Sequence, residues 1–335
     1  QAPHLDLGEV ARVLGIAPDA VRIVPSACGG GFGGKLDVSV QPMLAVAAWK
    51  LKRPVRCVYS RIESMAASTK RHPARIRATA AADKDGKLTA IRMDADFDTG
   101  AYASWGPTVA DRVPVHGSGP YFLPNVRVHS RAIYSNGTPS GAFRGFGVPQ
   151  VAILQESLYD DLAEKLGLDP LEFRLRNALR AGQATATGQV LEGSAGLAEC
   201  LESLRPHWRR LRGEAAAQNA AGEGRVRRGV GVGCMWYGCG NTSLPNPSTM
   251  RVTLDRSGAL TFFNGAVDIG QGSTTVLLQI CADALGVETS AFALVLGDTD
   301  LTADAGKTSA SRQTFVSGKA AYLAGRDLRA KILRL

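Results

Sequence analysis

Apolar residues recur along this chain with two spacings, one close to a helical turn and one close to strand alternation, and their succession predicts a mixed α and β protein. Residues 6–15 place apolar side chains at Val10, Val13 and Leu14 and stop at Gly15, the pattern of a short helix with a glycine C-terminus. Residues 21–24 read as a strand, residues 38–52 as an apolar helix ended by Pro54, and residues 55–59 as a returning strand, which together suggest a βαβ-like unit. Residues 61–72 are polar, with Arg61, Lys70, Arg71 and His72, and read as a solvated loop or a partner contact. Residues 74–82 and 88–97 flank Asp83-Lys84-Asp85-Gly86, so two strands joined by a tight turn are expected, with a further strand at 125–134. A long helix follows at 149–166. Asp169 then caps a second helix in which Pro170 takes the first position and Glu172 lies near the positive end.

Residues 205–228 turn Arg-, Ala- and Gly-rich, the composition of an exposed linker between a first domain, residues 1–204, and a second, residues 229–335. The second domain opens on the apolar run 229–236. Residues 249–254 and 260–264 form a hairpin around Asp255-Arg256-Ser257-Gly258, and a glycine turn at 268–272 precedes a helix at 274–285. A strand at 291–296 and a helix at 314–335 complete it. The fold class is α+β, built as two similar mixed α/β halves, each with a glycine turn before a helix.

Composition narrows the function classes. At 335 residues and 45% hydrophobic the chain has material for two sizeable cores. Its net charge of +9 could serve nucleic acid, but the basic residues are scattered apart from the stretch 205–228, so no nucleic-acid role is expected. No run approaches about 18 apolar residues and no signal-like core follows a charged start, which predicts a soluble protein with no membrane span. The cysteines, Cys28, Cys57, Cys200, Cys234, Cys239 and Cys281, show no CxxC spacing, as suits a reduced, cytoplasmic setting.

The chemistry concentrates at Gly29-Gly30-Gly31-Phe32-Gly33-Gly34-Lys35. Glycine lets backbone enter left-handed conformations and approach a ligand without a Cβ, so this loop offers bare N–H groups to something electron-rich. Its letters match G-x-x-x-x-G-K, but Leu36 stands where a phosphate loop needs Ser or Thr for magnesium. They also match G-x-G-x-x-G, yet no acidic residue follows about twenty positions on to take a ribose hydroxyl.

The whole run, phenylalanine included, resembles the signature of the molybdenum-binding (molybdopterin) subunit of the xanthine dehydrogenase and aldehyde oxidase family. The resemblance continues in register through Gln1-Ala2-Pro3-His4, Ala142-Phe143-Arg144-Gly145-Phe146-Gly147, Asp268-Ile269-Gly270-Gln271-Gly272 and Ser309-Ala310-Ser311. It implies two molybdopterin-binding domains. Because the first residue is Gln rather than Met and falls inside a motif, the chain is expected to be a fragment with both domains incomplete. The resemblance further implies that molybdenum carries its own ligands and needs no protein ligand. Gln1, the backbone of Phe32, Arg144 and Ala310 would then contact those ligands, Gly31 and Gly33 would keep the loop backbone bare against the cofactor, and Gln271 and Ser311 would donate to the pterin and its phosphate. Such amides, hydroxyls and guanidinium groups are partners for oxyanions. Arg112 and Phe146 fall where xanthine-type enzymes hold substrate, Trp236 and Tyr237 near a further pocket segment, and Leu36 where those enzymes carry a purine-binding glutamate.

The implied reaction is hydroxylation of an N-heteroaromatic, purine-like compound or an aldehyde, with water as oxygen source. Molybdenum–molybdopterin would be the cofactor, with a cytosine dinucleotide as one form of it. Iron–sulfur [2Fe–2S] and FAD groups would lie on partner subunits or in missing sequence, because no cysteine pattern for them exists here. The family's general base is a glutamate in a G-E pair after the second glycine turn, and nothing after Gly272 matches it. Gly213-Glu214 and Gly222-Glu223 read G-E but lie in the linker, so the base is expected outside this chain, and the 335 residues alone are expected to be inactive. A hydroxybenzoyl-CoA-reductase-like dehydroxylase and a non-catalytic cofactor-binding scaffold remain open as alternatives.

Overall fold

The computed structural model describes residues 1–222, 224–241 and 244–334. Two compact units interleave along the chain, one formed by Gln1–Thr69 with Gly238–Leu335 and the other by Lys70–Tyr237. They cut across the linear division that composition suggests.

The first unit begins with α1, Pro3–Leu14, which ends at Gly15 in the left-handed region with its N–H on the carbonyls of Ala11 and Arg12. Val10 and Ala11 pack with Val21, Ile23 and Ala45. Helix α2, Gln41–Leu51, follows the glycine loop and ends at Lys52. The polar segment expected as a loop contains α3, Arg61–Ala67, because Ser60 and Glu63 form a capping box: Glu63 N donates to Ser60 Oγ at 3.2 Å and Ser60 N to Glu63 Oε2 at 2.7 Å. Residues 21–24 and 55–59 belong to neither sheet, so the expected βαβ-like unit does not form. Ile23 bonds to Thr299 instead, its N–H donating to Oγ1 at 2.9 Å and its carbonyl accepting from Thr299 N at 3.1 Å, which leaves no ladder to extend.

The second unit holds a sheet of β1, Ala74–Ala82, β2, Leu88–Gly100, and β3, Asn125–Tyr134, in that order. Strand β1 runs antiparallel to β2, with Ala78 opposite Met93, and β3 runs parallel to β2, with Val128 opposite Met93. Alternate residues Ile91, Met93, Ala95 and Phe97 of β2 enter the core, while Asp96 on the other face pairs with Arg131 at 2.7 Å. The short helices α4, Gly106–Ala110, and α5, Arg112–His116, lie in the crossover from β2 to β3. Helix α6, Val148–Lys165, and α7, Pro170–Asn177, close over the core through Val151, Tyr159, Ala163 and Phe173. The fully buried Arg174 joins them, 2.8 Å from Glu156 and 2.7 Å from Asp160. Residues 205–221, expected as linker, continue helix α8, Leu197–Ala221, whose buried Leu201, Trp208 and Ala215 fall on one stripe. Trp208 Nε1 donates to the Asp169 carboxylate that caps α7, at 2.9 Å and 3.0 Å. Within α8, Glu214 pairs with Arg210 at 2.7 Å, and Glu223 lies outside the described residues.

The chain returns to the first unit with β4, Arg251–Leu254, β5, Leu260–Asn264, and β6, Phe292–Leu296. This sheet repeats the plan of the other, β4 antiparallel to β5 and β6 parallel to it, so the two halves are similarly built. Helix α9, Ser273–Leu285, and α10, Gly318–Ile332, pack closely: a Cβ at Gly325 would stand 2.6 Å from the Cys281 carbonyl oxygen. A π-helical turn, Gln313–Ser317, leads into α10. Among the described residues no helix is long and apolar enough to cross a membrane.

Candidate cofactor-binding site

In the first unit three turns converge on Gln1. The glycine loop puts Gly30, Phe32 and Gly33 at φ of 103°, 53° and 93°. It is closed by Gly34 N on Gly31 O at 2.9 Å and Leu36 N on Gly33 O at 3.1 Å. Phe32 is 58% exposed, whereas the side chain of Leu36 is buried. A Cβ at Gly31 would stand 2.7 Å from Gln1 Oε1 and 3.0 Å from Ile269 Cδ1, so the loop lies against the second glycine turn.

That second turn is pinned by Asp268, whose carboxylate accepts from Gly270 N at 2.8 Å and Thr274 N at 3.0 Å. Desolvation raises its carboxyl, but the N–H groups of Thr274, Gly270 and Gly272 outweigh it and hold the group below the ordinary carboxylate value. The Gln271 side chain is locally engaged: Oε1 accepts from Ile269 N at 2.7 Å and Nε2 donates to Ser273 Oγ at 2.9 Å.

The third turn carries Ala310 and Ser311 at φ of 55° and 53°. Gly240 N donates to Ala310 O at 2.8 Å and Cys239 Sγ to Ser311 O at 3.1 Å. Beneath it, the buried Arg312 donates through Nη1 to Ala305 O at 2.8 Å and through Nη2 to Pro247 O. Gln1 links this turn to the loop. Its Nε2 donates to Thr308 O at 2.6 Å, its carbonyl accepts from Thr308 N at 3.1 Å, and its Oε1 accepts from Lys35 N at 3.3 Å.

The second unit gathers the other predicted residues. Arg144 is exposed on a turn with Gly145, Phe146 and Gly147 at φ of 89°, 50° and 93°. The guanidinium of the buried Arg112 lies 5.7 Å from the Phe146 ring and 5.8 Å from the Tyr237 ring. His116, which the sequence reading passed over, completes this cluster. Its Nδ1 is 3.0 Å from Arg112 O, one helical turn back, and its ring stacks on Tyr237 at 5.8 Å and meets Trp236 edge-on at 5.5 Å. Burial, with the Arg112 charge adding to it, pushes the His116 imidazole below its ordinary value against the opposing backbone bond.

Six non-glycine residues have positive φ among the described residues: Phe32, Lys52, Ser104, Phe146, Ala310 and Ser311. Four of them are predicted site residues, and each such conformation costs on the order of 1 kcal/mol or more, strain that clusters where a backbone meets a ligand. Ser309 Oγ, Arg312 Nε and Gln313 Oε1, beside the third turn, are buried without a hydrogen-bond partner. A buried orphan polar atom costs about 1–3 kcal/mol, so this segment is suited to a ligand that supplies the missing bonds.

Residues 1–178 and residues 202–335 each match the molybdopterin cofactor-binding domain family. The chain is 37% identical to the xanthine dehydrogenase molybdenum-binding subunit of Escherichia coli O157:H7, over 99% of its own length and 44% of that protein. It superposes on the aldehyde oxidoreductase of Desulfovibrio desulfuricans with a TM-score of 0.91 at 32% identity, covering 98% of this chain and 36% of that one. The chain belongs to the molybdenum-binding subunits of the xanthine dehydrogenase and aldehyde oxidase family. A nicotinate dehydrogenase large molybdopterin subunit from Eubacterium barkeri is 50% identical over 61% of this chain and 48% of its own length. The chain thus spans about half the length of the curated relatives it matches.

The residues of this family member fit molybdopterin. In the first unit the bare loop backbone, the Gln1 amide and the Ser309 and Ser311 hydroxyls make a donor set suited to oxo and phosphate oxygens. A Cβ at Gly31 would crowd Gln1 and Ile269, which keeps that part of the loop as bare backbone, and the orphan atoms of residues 309–313 add unspent donors and an acceptor.

Proposed function

We propose that this chain forms the cofactor-binding core of a molybdenum hydroxylase that oxidises an N-heteroaromatic or aldehyde substrate with water as oxygen source. The observation that carries this reading is the coincidence of backbone strain at Phe32, Phe146, Ala310 and Ser311 with the turns predicted to meet the cofactor. Molybdopterin, when bound, supplies the redox and oxygen-transfer centre. Gln1, Gly31, Phe32, Gly33, Gln271, Ala310 and Ser311 would hold it, and Gln1, Phe32, Arg144 and Ala310 are the residues proposed to contact the metal's own ligands. A cytosine dinucleotide is the proposed form of the pterin.

On the substrate side we place Arg112, Phe146, Trp236, Tyr237 and Leu36. A buried guanidinium between aromatic rings suits a planar ring that carries or develops negative charge. The nicotinate dehydrogenase relative supports the N-heteroaromatic class, and the aldehyde oxidoreductase structure the aldehyde class. Leu36, apolar where the resemblance places a purine-binding glutamate, would discriminate by only roughly 10–200-fold and so admit a family of rings rather than xanthine alone. Iron–sulfur and FAD subunits are the proposed partners in a cytoplasmic complex.

The test is metal, pterin and nucleotide analysis of the complete enzyme, followed by turnover on nicotinate, xanthine, quinoline-like rings and benzaldehyde. Molybdenum with preferential oxidation of an N-heteroaromatic supports the reading. A complete, folded complex that binds no molybdenum under any growth condition contradicts it.

A further inference from the structure

Residues 61–67 are largely exposed, but the end of the basic segment, Lys70 to His72, is drawn in from solvent. Arg71 is partly buried, with its guanidinium carbon 4.5 Å from the centroid of the Phe143 ring. Its Nη2 donates to the carbonyl of Arg144 and its Nη1 to Gln150 Oε1 at 3.4 Å. Gln150 Nε2 returns to the His72 carbonyl at 3.0 Å, which links the segment to the first turn of α6. On the other side Lys70 N donates to Pro139 O at 3.0 Å and Lys70 O accepts from Gly141 N at 2.9 Å. The segment is therefore joined to the turn both before and after Arg144.

The turn needs that restraint. Three consecutive residues, Gly145, Phe146 and Gly147, hold positive φ, and α6 begins on Gly147 with no side-chain cap. Its own backbone bonds are Phe146 N to Phe143 O at 2.7 Å and Val148 N to Gly145 O at 3.0 Å. These close the turn but do not orient it against the sheet.

We infer that Arg71 is the positioning residue for Arg144, its planar fork holding the Arg144 carbonyl while its face fixes Phe143. The guanidinium does both at once. A lysine ammonium at this place has one point of charge and no plane to stack, so it cannot replace the clamp. What Arg144 does for the reaction rests on the proposed function above; the clamp itself is a matter of geometry.

The experiment uses the complete enzyme with Arg71→Ala, Arg71→Lys, Arg144→Met and the double variant Arg71→Ala/Arg144→Met. Hydrogen exchange reads the clamp without reference to activity. Amides 143–148 are expected to exchange at least about tenfold faster in Arg71→Ala, with β1 to β3 unchanged. Misplacement by about 1 Å can cost on the order of 10²-fold in turnover, so kcat is expected to fall by about that much, with KM moved little. Arg71→Lys falls nearly as far, and millimolar ethylguanidinium restores part of the Arg71→Ala loss. Because Arg71 acts through Arg144, the double variant loses no more than Arg144→Met alone. Unchanged exchange at 143–148, or losses that multiply in the double variant, overturns the inference. Should Arg71→Ala fail to fold, Arg71→Lys carries the same comparisons. Wild-type turnover and molybdenum content in Arg144→Met would instead refute the role proposed for Arg144, while the exchange result still decides the clamp.

Discussion

The side-chain amide of Gln1 donates to the backbone carbonyl of Thr308 at 2.6 Å, a contact that spans 307 residues of sequence. Through it the glycine loop and the Ala310–Ser311 turn become one surface of the first unit. Gln1→Ala removes this bond and the one from Lys35 N, each with a net value of about 0.5–1.5 kcal/mol. The variant of the complete protein is expected to melt a few degrees lower and to retain less molybdenum. Wild-type molybdenum content in Gln1→Ala would show that the amide does not organise the loop.

Adjacent glycines of the loop differ in what they tolerate. A Cβ at Gly29 meets nothing within 4 Å, whereas at Gly31 it would stand 2.7 Å from Gln1 Oε1 and 3.0 Å from Ile269 Cδ1. Gly29→Ala is expected to leave cofactor content and stability unchanged, and Gly31→Ala to lower both. Equal behaviour of the two variants in thermal melts and metal analysis would contradict the packing described.

His72 gives the second unit a pH dependence. Its Nε2 is buried without a hydrogen-bond partner, and burial, with Arg71 adding and Asp98 opposing, pushes the imidazole down to about 4. The unfolded chain takes up this proton near its ordinary value while the folded chain refuses it. Stability is thus full above about pH 6.5 and falls as pH drops toward 4, by about 3 kcal/mol at the end of that window. Asp6, whose carboxyl is pushed up to about 6 mainly by desolvation, contributes the opposite slope. Comparing wild type with His72→Gln cancels Asp6: urea unfolding from pH 7.5 to 4.5 should show the variant losing less stability. Parallel curves would mean that His72 is not held neutral.

The substrate role proposed for Arg112 predicts a difference between substrates. Hydrogen bonds to a charged group contribute about 1.5–3 kcal/mol, so Arg112→Met is expected to depress turnover of N-heteroaromatics that carry or build negative charge by about tenfold or more, and neutral aldehydes far less. Leu36→Glu should raise relative activity on xanthine. It also places a carboxylate at a buried position, so its melting temperature should fall. A uniform loss on all substrates in Arg112→Met would remove Arg112 from the substrate pocket.

The parts of this fold that were legible in sequence are those fixed by local chemistry. The Asp83–Gly86 turn, the Asp169-Pro170 helix start and the glycine stop at Gly15 each dictate backbone within a few residues, and the strands and helices around them stand where expected. What failed depended on distant partners. Residues 21–24 have strand-like side chains, but the place where a neighbouring strand would lie is taken by Thr299. Helix α8 was hidden by Pro206 and by arginines, although Leu201, Trp208 and Ala215 recur every seventh residue. The capping box of Ser60 and Glu63 is a local signal for α3, set among basic residues whose charge suggests a loop. At the site, positive φ is natural for Gly30 and Gly33, but at Phe32, Phe146, Ala310 and Ser311 side-chain preference argues against it, and the family motif alone pointed there. Arg71 and His116 carried no motif; only folding shows one against Phe143 and the other between Trp236 and Tyr237.

The central claim is that the strained turns around Gln1 exist to hold molybdopterin. Molybdenum and pterin content of the complete protein, wild type against Gly33→Val, tests it most directly, because Gly33 has a φ of 93° that a β-branched side chain cannot adopt without strain. Stoichiometric molybdenum in wild type and little in a Gly33→Val protein that still folds is the predicted result. Full molybdenum occupancy in Gly33→Val would contradict it.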